Sequence, residues 1–331
     1  MNIVVFGPEH RVGVLAGEYV VDLAIAGTVY ASATRAPLPA DLGAFIEAGP
    51  DAITSARNVV ALALATPAEK RAEHGVYARS DVTLQAPHVR GARIVCAGGN
   101  FADHAAKMST KRANAAPPPD LGEFTKQMRA RGIWGFWKVG RDAAGPDGQI
   151  EYPARTQRFD YEGELAIVIG KRAKDVGAGD LRAYVFGMTL FVDWSIRDLD
   201  EGSATFKYAA AKNFDGSFSI GPVIVVDDGI DYENTSVQTW VNGEIRQDYN
   251  TRDMVVKFGE YLEYLSKDFT FYPGDIITGG TAAGTAADSS DYANGAFAPE
   301  RFLKVGDVVD VRSPQIGTLS SRVVAKRLGP A

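Results

Sequence analysis

Three carboxylates in two apolar tracts are the residues whose type and spacing most clearly suggest chemistry. Glu162 and Glu164 begin the tract 162–171 and lie two positions apart, so on a strand both side chains point to one face. Asp193 lies inside a second apolar tract, residues 187–195. A lone carboxylate buried in such a tract costs several kcal/mol unless a cation or hydrogen bonds compensate for it. A positive group should therefore lie among these acids.

Two kinds of positive group fit this pattern. Arg197 can pair with Asp193, and the glutamates can face solvent at the start of a strand, which is the ordinary alternative. The functional alternative is a metal ion shared by Glu162, Glu164 and Asp193. Three carboxylates with no nearby Cys or His predict a hard cation, with Mg²⁺ first and Mn²⁺ or Ca²⁺ next.

His104 is the candidate general base. The sequence predicts that Asn100 caps a helix carrying His104 near its start. The positive end of a helix dipole disfavours the imidazolium form, which suits a neutral base. A surface histidine is the ordinary alternative at such a position.

Six motifs in this chain resemble those of the fumarylacetoacetate hydrolase family. They occupy residues 160–171, 192–198, 211–222, 242–247, 273–279 and 305–309, and they follow the family's order from about residue 91 to the C-terminus. The resemblance implies a rolled β-sheet fold, a homodimer, and an enzyme that acts on a small-molecule oxo acid. It also implies a metal held by Glu162, Glu164 and Asp193.

The resemblance implies roles for further residues. The run 100–105 is similar to the family's general-base context and assigns that role to His104. Lys138 and Lys212 match lysines that face the anionic substrate and the metal, and residues 120–131 match a lid. Exposed lysines and a plain linker are the respective alternatives. Substrate contacts are implied for Gln247, Gly280, Thr281 and Arg197.

The sequence departs from the family pattern after His104. Hydrolytic members place a glutamate three residues later, where it can orient the imidazole, and this chain has Lys107. A cation at that position lowers the histidine pKa. Asp103 and Glu123 are the candidates for replacing the glutamate, and an altered water-activating step is the alternative. Residues 96–99 offer no upstream metal-binding aspartate, so the three-carboxylate branch of the family is the closer match.

Composition and charge restrict the class of protein. The 331 residues are 46% hydrophobic and 23% charged, and the net charge of −6 gives no general attraction for nucleic acid or anionic lipid. Cys96 is the only cysteine, so no intrachain disulfide can form. We expect no secretory signal and no membrane-spanning run. These features predict a cytoplasmic protein without nucleic-acid or membrane partners.

The hydrophobic pattern predicts a mixed α+β fold that is predominantly β. A small N-terminal α/β domain is expected over residues 1–85 and a catalytic domain over residues 86–331. Alternation predicts short strands at 3–6, 11–15 and 18–23. Helices are predicted at 42–48, 52–65, 120–131 and 252–266, and Asn242-Gly243 predicts a type I′ turn in a hairpin over 236–247.

The site chemistry predicts a metal-dependent hydrolase that cleaves a C–C bond in a 2,4-dioxo, acylpyruvate-like acid. His104 would activate water, and cleavage would leave an enolate stabilised by the metal, Lys138 and Lys212. Two alternatives use the same enolate without water: decarboxylation of oxaloacetate-like acids and dehydration of 2-keto-3-deoxy sugar acids. Lys107 keeps both open. A metal-dependent oxo-acid binding protein is the non-enzymatic alternative.

Overall fold

The computed structural model describes residues 1–113, 118, 120–199, 207–226 and 229–327. Within these residues the chain is predominantly β, with a smaller helical part. The strands are β1 (Asn2–Phe6), β2 (Arg11–Ala16), β3 (Tyr19–Asp22), β4 (Val76–Ala78), β5 (Leu84–Gln85), β6 (Ile94–Ala97), β7 (Gly135–Lys138), β8 (Gly148–Glu151), β9 (Phe159–Asp160), β10 (Gly163–Ile169), β11 (Val185–Asp193), β12 (Ser195–Ile196), β13 (Phe218–Val225), β14 (Ser236–Val241), β15 (Glu244–Asn250), β16 (Ile276–Thr278), β17 (Tyr292–Ala293), β18 (Ala296–Phe297), β19 (Val308–Ser313) and β20 (Gly317–Val324). The α-helices are α1 (Leu23–Val29), α2 (Leu42–Glu47), α3 (Gly49–Leu64), α4 (Ala102–Ala113), α5 (Leu121–Arg131), α6 (Tyr208–Ala211), α7 (Phe258–Ser266) and α8 (Ala286–Ser289).

The largest sheet joins strands from the N-terminal and the central parts of the chain. Its order is β4-β3-β2-β1-β13-β11-β10-β16-β6-β7, with β5 also paired to β1. Its pairs are antiparallel except for β16 beside β6, which is parallel. Because β1 pairs directly with β13, the strands before residue 85 continue the sheet of the later strands. The domain boundary at residue 85 stays a prediction.

Both faces of the large sheet are covered. Residues of α1, α2 and α3 pack on one face, where Ala166 and Val168 of β10 also point. A five-stranded sheet of order β15-β14-β19-β20-β8 packs on the other face, against Leu165 and Ile167. Strands buried on both faces read as continuous apolar runs, which explains the composition of β10. The fold is mixed α+β and predominantly β, as predicted.

Most predicted elements are confirmed with shifts of a few residues at their ends. The predicted N-terminal strands correspond to β1, β2 and β3, and the predicted helices at 42–48, 52–65 and 120–131 correspond to α2, α3 and α5. The hairpin turn is also confirmed, because Asn242 and Gly243 have φ values of 51° and 80°. No helix in the described part of the chain combines the length and apolar character that crossing a membrane requires.

The predictions for Asn100 and for the helix at 252–266 are wrong in detail. The Asn100 side chain does not cap α4, because its amide donates to the carbonyls of Val256 and Gly279 and its oxygen accepts from the Val256 N–H. The Val255 N–H donates to the Asn100 carbonyl at 2.8 Å. These bonds hold residues 255–256 in a bend outside any helix, so α7 begins only at Phe258.

Candidate active site

Three carboxylates converge at one end of β10 and β11. Glu164 lies opposite Phe191 in the antiparallel register, which places Glu162 beside Asp193, whose N–H donates to the Glu162 carbonyl at 2.9 Å. One carboxylate oxygen each of Glu162, Glu164 and Asp193 lies within 4.8 Å of the others. All three side chains are buried. Glu162 and Glu164 share one face because they are two residues apart, and the pairing of β10 with β11 adds Asp193 to them.

Cations neutralise two of these acids. Lys212 Nζ donates to Glu162 and, at 2.8 Å, to Asp193 Oδ2, while Lys138 Nζ donates to Asp193 Oδ1 at 2.6 Å. Arg197 donates to Glu162 and not to Asp193. Burial alone would raise the pKa of Glu162, but Arg197 and Lys212 outweigh it and hold that pKa well below its usual range. Glu162 is therefore ionised at neutral pH.

Glu164 lacks such partners. Its Oε2 is buried and has no hydrogen-bond partner among the described residues. Burial, followed by the charges of Asp193 and Glu162, raises the pKa of Glu164 well above its usual range. An unpartnered carboxylate oxygen beside two further carboxylates fits a divalent cation with a preference for oxygen ligands. Glu162, Glu164 and Asp193 can thus hold the metal that the sequence predicts.

His104 forms a buried pair with an acid from the far end of the chain. His104 is the third residue of α4, and its Nδ1 lies 2.7 Å from Asp288 Oδ2. Its Nε2 lies 4.0 Å from Glu162 Oε1, at the edge of the carboxylate group. Hydrogen bonds from His104 and from the Gly284 N–H help to keep the pKa of Asp288 below its usual range despite burial. A carboxylate at Nδ1 fixes the ring and leaves Nε2 to exchange a proton.

Two charged side chains fix the short helix that carries Asp288. Asp160 accepts the N–H groups of Ala286 and Ala287 at 2.7 and 3.1 Å, and its Oδ2 also accepts from Arg197 Nε at 2.9 Å. At the other end, Lys111 Nζ donates to the carbonyls of Ala287, Asp288 and Ser290. The helix α8 is thus held at both of its ends, and this fixes the position of Asp288.

The site opens into a cavity of about 310 Å³. Its inner end is polar and includes His104, Glu162, Glu164, Arg197, Lys212 and Thr281. Its outer end is mainly apolar and is lined by residues of α4 and α5, by the residues leading into β7, and by Tyr208. A small acid can therefore reach the carboxylates through an apolar entrance.

The other residues that the sequence singled out lie around this inner end at different depths. Thr281 lines the cavity, and its Oγ1 donates to the Gly163 carbonyl at 3.0 Å. Gln247 lies behind it and donates to Thr281 Oγ1 at 2.7 Å. Gly280 has φ +81°, and a Cβ there would lie 2.9 Å from the Ala97 carbonyl oxygen, so only glycine fits. Lys138 is buried behind Asp193 and does not line the cavity.

The acid that orients His104 is the functional residue that the sequence analysis missed. Asp103 accepts the His104 backbone N–H at 2.7 Å, and Glu123 makes an exposed pair with Lys126, so neither binds the imidazole. Lys107 is exposed. A signal for Asp288 was present, because Thr285 precedes it by three residues in a helix-capping pattern and accepts its N–H at 3.2 Å. That pattern predicts a helix start but not a contact with His104.

Comparisons with known proteins agree with the fold. Residues 93–324 match the family profile of the fumarylacetoacetate (FAA) hydrolase C-terminal domain. The mitochondrial oxaloacetate tautomerase FAHD2A of Bos taurus is 33% identical over 299 residues, which cover 90% of this chain and 84% of that protein. The oxaloacetate tautomerase YisK of Bacillus subtilis is 34% identical over 250 residues, 75% of each protein.

Solved structures give the same result. The fumarylacetoacetate hydrolase of Exiguobacterium antarcticum is 27% identical and superposes with a TM-score of 0.73, covering 98% of this chain and 100% of that one. The resemblance inferred from the six motifs is confirmed. Tautomerisation, the reaction named for the two curated relatives, was not among the reactions predicted from the sequence.

Proposed function

The chain belongs to the fumarylacetoacetate hydrolase family, whose members process small-molecule acids, and from this premise we propose that it is a metal-dependent tautomerase of oxaloacetate-like 2-oxo acids. The observation that carries the proposal is the His104–Asp288 pair. His104 Nε2 lies at the edge of the cluster of three carboxylates, 4.0 Å from Glu162 Oε1. Two relatives that are 33% and 34% identical carry the name oxaloacetate tautomerase, which supports this substrate class.

Enol–keto conversion requires proton transfer but no water and no bond cleavage between carbons. In the enol-to-keto direction, His104 Nε2 would take the proton from the enol O–H group, becoming an imidazolium, and would deliver the same proton to C3, so that one O–H bond breaks, one C–H bond forms and the imidazole ends neutral. We assign the proton at C3 to His104 Nε2, because a neutral imidazole can take and return a proton near neutral pH. Asp288 orients the ring and stabilises the imidazolium that forms. In the reverse direction His104 removes the C3 proton.

The metal has a defined place in this proposal. Glu162, Glu164 and Asp193 would hold it, with Mg²⁺ as the first candidate and Mn²⁺ as the second. When bound, such an ion acts as a Lewis acid that polarises the 2-oxo group. Lys212 and Arg197 line the cavity and would attract the substrate carboxylates, and Thr281 would offer a hydroxyl.

We assign indirect roles to the remaining predicted residues. Lys138 would hold the Asp193 carboxylate in position through its 2.6 Å contact with Oδ1. Gln247 would fix the hydroxyl of Thr281, and Gly280 would allow the loop to pass close to Ala97. These three residues act through their neighbours, in contrast to the direct substrate contacts expected from the sequence for Gln247 and Gly280.

C–C bond hydrolysis is the second candidate function. The cavity of about 310 Å³ is larger than a four-carbon acid needs, so it also has room for an acylpyruvate and a water molecule. The His104–Asp288 pair could deprotonate that water as readily as a carbon acid. Decarboxylation of oxaloacetate remains the lyase alternative, and it differs from tautomerisation by the release of CO2.

One experiment distinguishes these reactions. Purified protein is loaded with Mg²⁺ or Mn²⁺, and enol-oxaloacetate decay is followed by ultraviolet absorbance, with products identified by NMR. We expect faster metal-dependent decay to keto-oxaloacetate with no excess pyruvate, and a loss with chelator. Pyruvate and CO2 above the metal-only background would indicate a decarboxylase, and cleavage of an acylpyruvate alone would indicate a hydrolase. Either result would overturn the tautomerase proposal.

Variants connect the activity to the residues. Asp288→Asn should reduce kcat/KM by about 10²-fold, because the imidazole loses its orienting anion. Asp291→Asn is the matched control, since this acid lies three residues later and is exposed. Equal activity of the two variants would show that the His104–Asp288 pair does not carry the reaction.

Homodimer formation and a cytoplasmic location stay proposals. Light scattering of the purified protein tests the first, and fractionation of cells tests the second. Several relatives are described as mitochondrial, so a mitochondrial location is the alternative outcome for this fold.

A further inference from the structure

The outer end of the active-site cavity is formed by one face of each of two helices. On α4 this face contains Ala105, Met108 and Ser109, and on α5 it contains Phe124 and Met128. Residues three or four positions apart lie on the same side of a helix, so these side chains form two adjacent stripes over the cavity. The stripes are apolar except for Ser109.

Aromatic side chains continue this apolar wall towards the inner site. Phe136 stacks on Tyr208 with ring centroids 5.4 Å apart, and Trp134 meets Tyr208 edge-on at 5.5 Å. Lys212 Nζ lies 5.1 Å from the centre of the Phe136 ring, so the aromatic wall begins where the charged inner end stops. Trp134 is 47% exposed, and a Cβ on Gly98 would lie 2.4 Å from its ring. The chain thus keeps open an apolar surface beside its charged site.

We propose that this wall binds an apolar group on the distal end of the substrate, so that the preferred substrates are 2-oxo acids with an alkyl or aryl group beyond C4. The proposal rests on the proposed function and specifies its substrate class. Arg131 is the one charged residue among the described residues of the outer wall, and it is exposed. Of the charged groups in the described wall, a distal carboxylate would meet only this one, whereas an apolar chain would meet Met108, Phe124, Met128 and the aromatic rings.

Met128 is the residue to test as a specificity determinant. It is half-buried on α5 and faces the cavity, whereas the preceding Gln127 is exposed and does not line it. The substitution Met128→Gln makes the wall polar at similar volume. The reciprocal change Gln127→Met makes a nearby surface position apolar and serves as the matched control.

Unreactive N-alkyl oxamates are suitable probes, because they combine the 2-oxo acid head with a distal chain of chosen length. Their Kd is measured by calorimetry with Mg²⁺ present, from oxamate to N-hexyl oxamate. We expect the Kd to fall about fourfold for each buried methylene until the wall is covered. Met128→Gln should weaken N-hexyl oxamate about tenfold and leave oxamate within twofold. Gln127→Met should change neither.

Other outcomes overturn the inference. A Kd that does not change with chain length would show that the wall does not contact the ligand. Tighter binding of an oxamate with a distal carboxylate, lost in Arg131→Gln, would show that the cavity selects a second anion. Oxaloacetate turnover is measured in parallel to distinguish failure of this inference from failure of the proposed function. If turnover is present but the Kd does not depend on chain length, only this inference fails. If turnover is absent, the proposed function fails.

Discussion

Asp160 and Glu164 are two carboxylates four residues apart with different surroundings. Both are buried, with 0% and 2% of their surface exposed. The Asp160 oxygens accept from the backbone of Tyr161, from two N–H groups of α8 and from Arg197. Glu164 Oε2 accepts from none of the described residues. These two equally buried carboxylates therefore differ in their hydrogen bonds.

The difference is that Asp160 has hydrogen-bond donors within the protein, whereas Glu164 Oε2 has none among the described residues and is free to bind a ligand. A buried charge that receives several hydrogen bonds is compensated within the protein, and Asp160 connects β9 to α8 in this way. A buried charge without donors destabilises the protein unless something from solution binds it. Burial and residue type alone would have ranked these two acids equally, and only their hydrogen bonds distinguish them.

The largest effect is expected from substitution of Glu164, the carboxylate that we assign to the metal. Glu164→Gln should reduce metal-dependent kcat/KM by at least about 10³-fold, because the metal loses one of three ligands and its Lewis-acid contribution. The free energy of unfolding without metal should not fall, since burial already disfavours the charged form of Glu164 and its Oε2 has no hydrogen-bond partner among the described residues to lose. Calorimetric metal titration and urea unfolding measure the two effects. Glu18→Gln, at an exposed position, is the control, and undiminished metal affinity in Glu164→Gln would contradict the assignment.

The opposite pattern is expected for Asp160. Asp160→Asn should lower the free energy of unfolding by about 3 kcal/mol, because it breaks a buried ion pair with Arg197. Metal affinity of the folded variant should stay within a few-fold of the original. Urea unfolding and metal titration test both points. If stability were unchanged and metal affinity lost, Asp160 would belong with the metal ligands.

Metal should stabilise the protein in a way that separates the two variants. At a free metal concentration of 100 times Kd, the free energy of unfolding should rise by about 2.7 kcal/mol. Thermal unfolding with and without metal should show this increase in the original protein and in Asp160→Asn. Glu164→Gln should show little of it at the same metal concentration. An equal increase in all three proteins would place the metal elsewhere.

His88 sharpens the comparison, because this half-buried residue has a buried Nε2 atom without a hydrogen-bond partner among the described residues, yet it lies away from the cavity. Burial lowers its pKa from 6.5 to about 4, although the Asp142 carboxylate opposes this shift. The unfolded chain therefore binds the proton first as the pH falls below 6.5, and stability is lost on acidification. Between pH 7.5 and 5 the loss should be about 2 kcal/mol.

The variant His88→Gln removes this titration. Its free energy of unfolding should depend less on pH than that of the original protein over the same interval, as urea unfolding at several pH values can measure. An identical dependence would mean that folding does not lower the pKa of His88. A weaker pH dependence in His88→Gln would show that a buried atom without a hydrogen-bond partner can also belong to a neutral structural residue.

The sequence predicted the carboxylate group because its geometry is local. A two-residue period sets the common face of Glu162 and Glu164, and the apolar tract around Asp193 marks a neighbouring buried strand. The same logic gave most of the strands and helices. It failed for residues 252–257, whose apolar stripe continues that of α7, because a long-range bond to Asn100 decides their conformation.

Contacts between distant segments were beyond the sequence pattern. Asp288 reaches His104 across 184 positions, from a four-residue helix too short to show a hydrophobic period. An Arg197–Asp193 pair was the ordinary alternative to a metal site, but the partners of Arg197 are Asp160 and Glu162, which lie on and just after the two-residue strand β9. In both cases the side chain chemistry was visible and the partner was set by tertiary packing.

The parallel pairing of β6 with β16 has a consequence for how the protein is made. In this pair Ile94 lies beside Ile276, and β6 is followed along the chain by α4, the helix that carries His104. At 5–20 residues per second, the ribosome needs about 10–40 s to add the intervening chain. Strands β1 to β4, which pair with one another, are made before this interval, whereas β16 and Asp288 lie in the last sixth of the chain. A nascent or C-terminally truncated chain that lacks β16 and α8 therefore cannot bring Asp288 to His104.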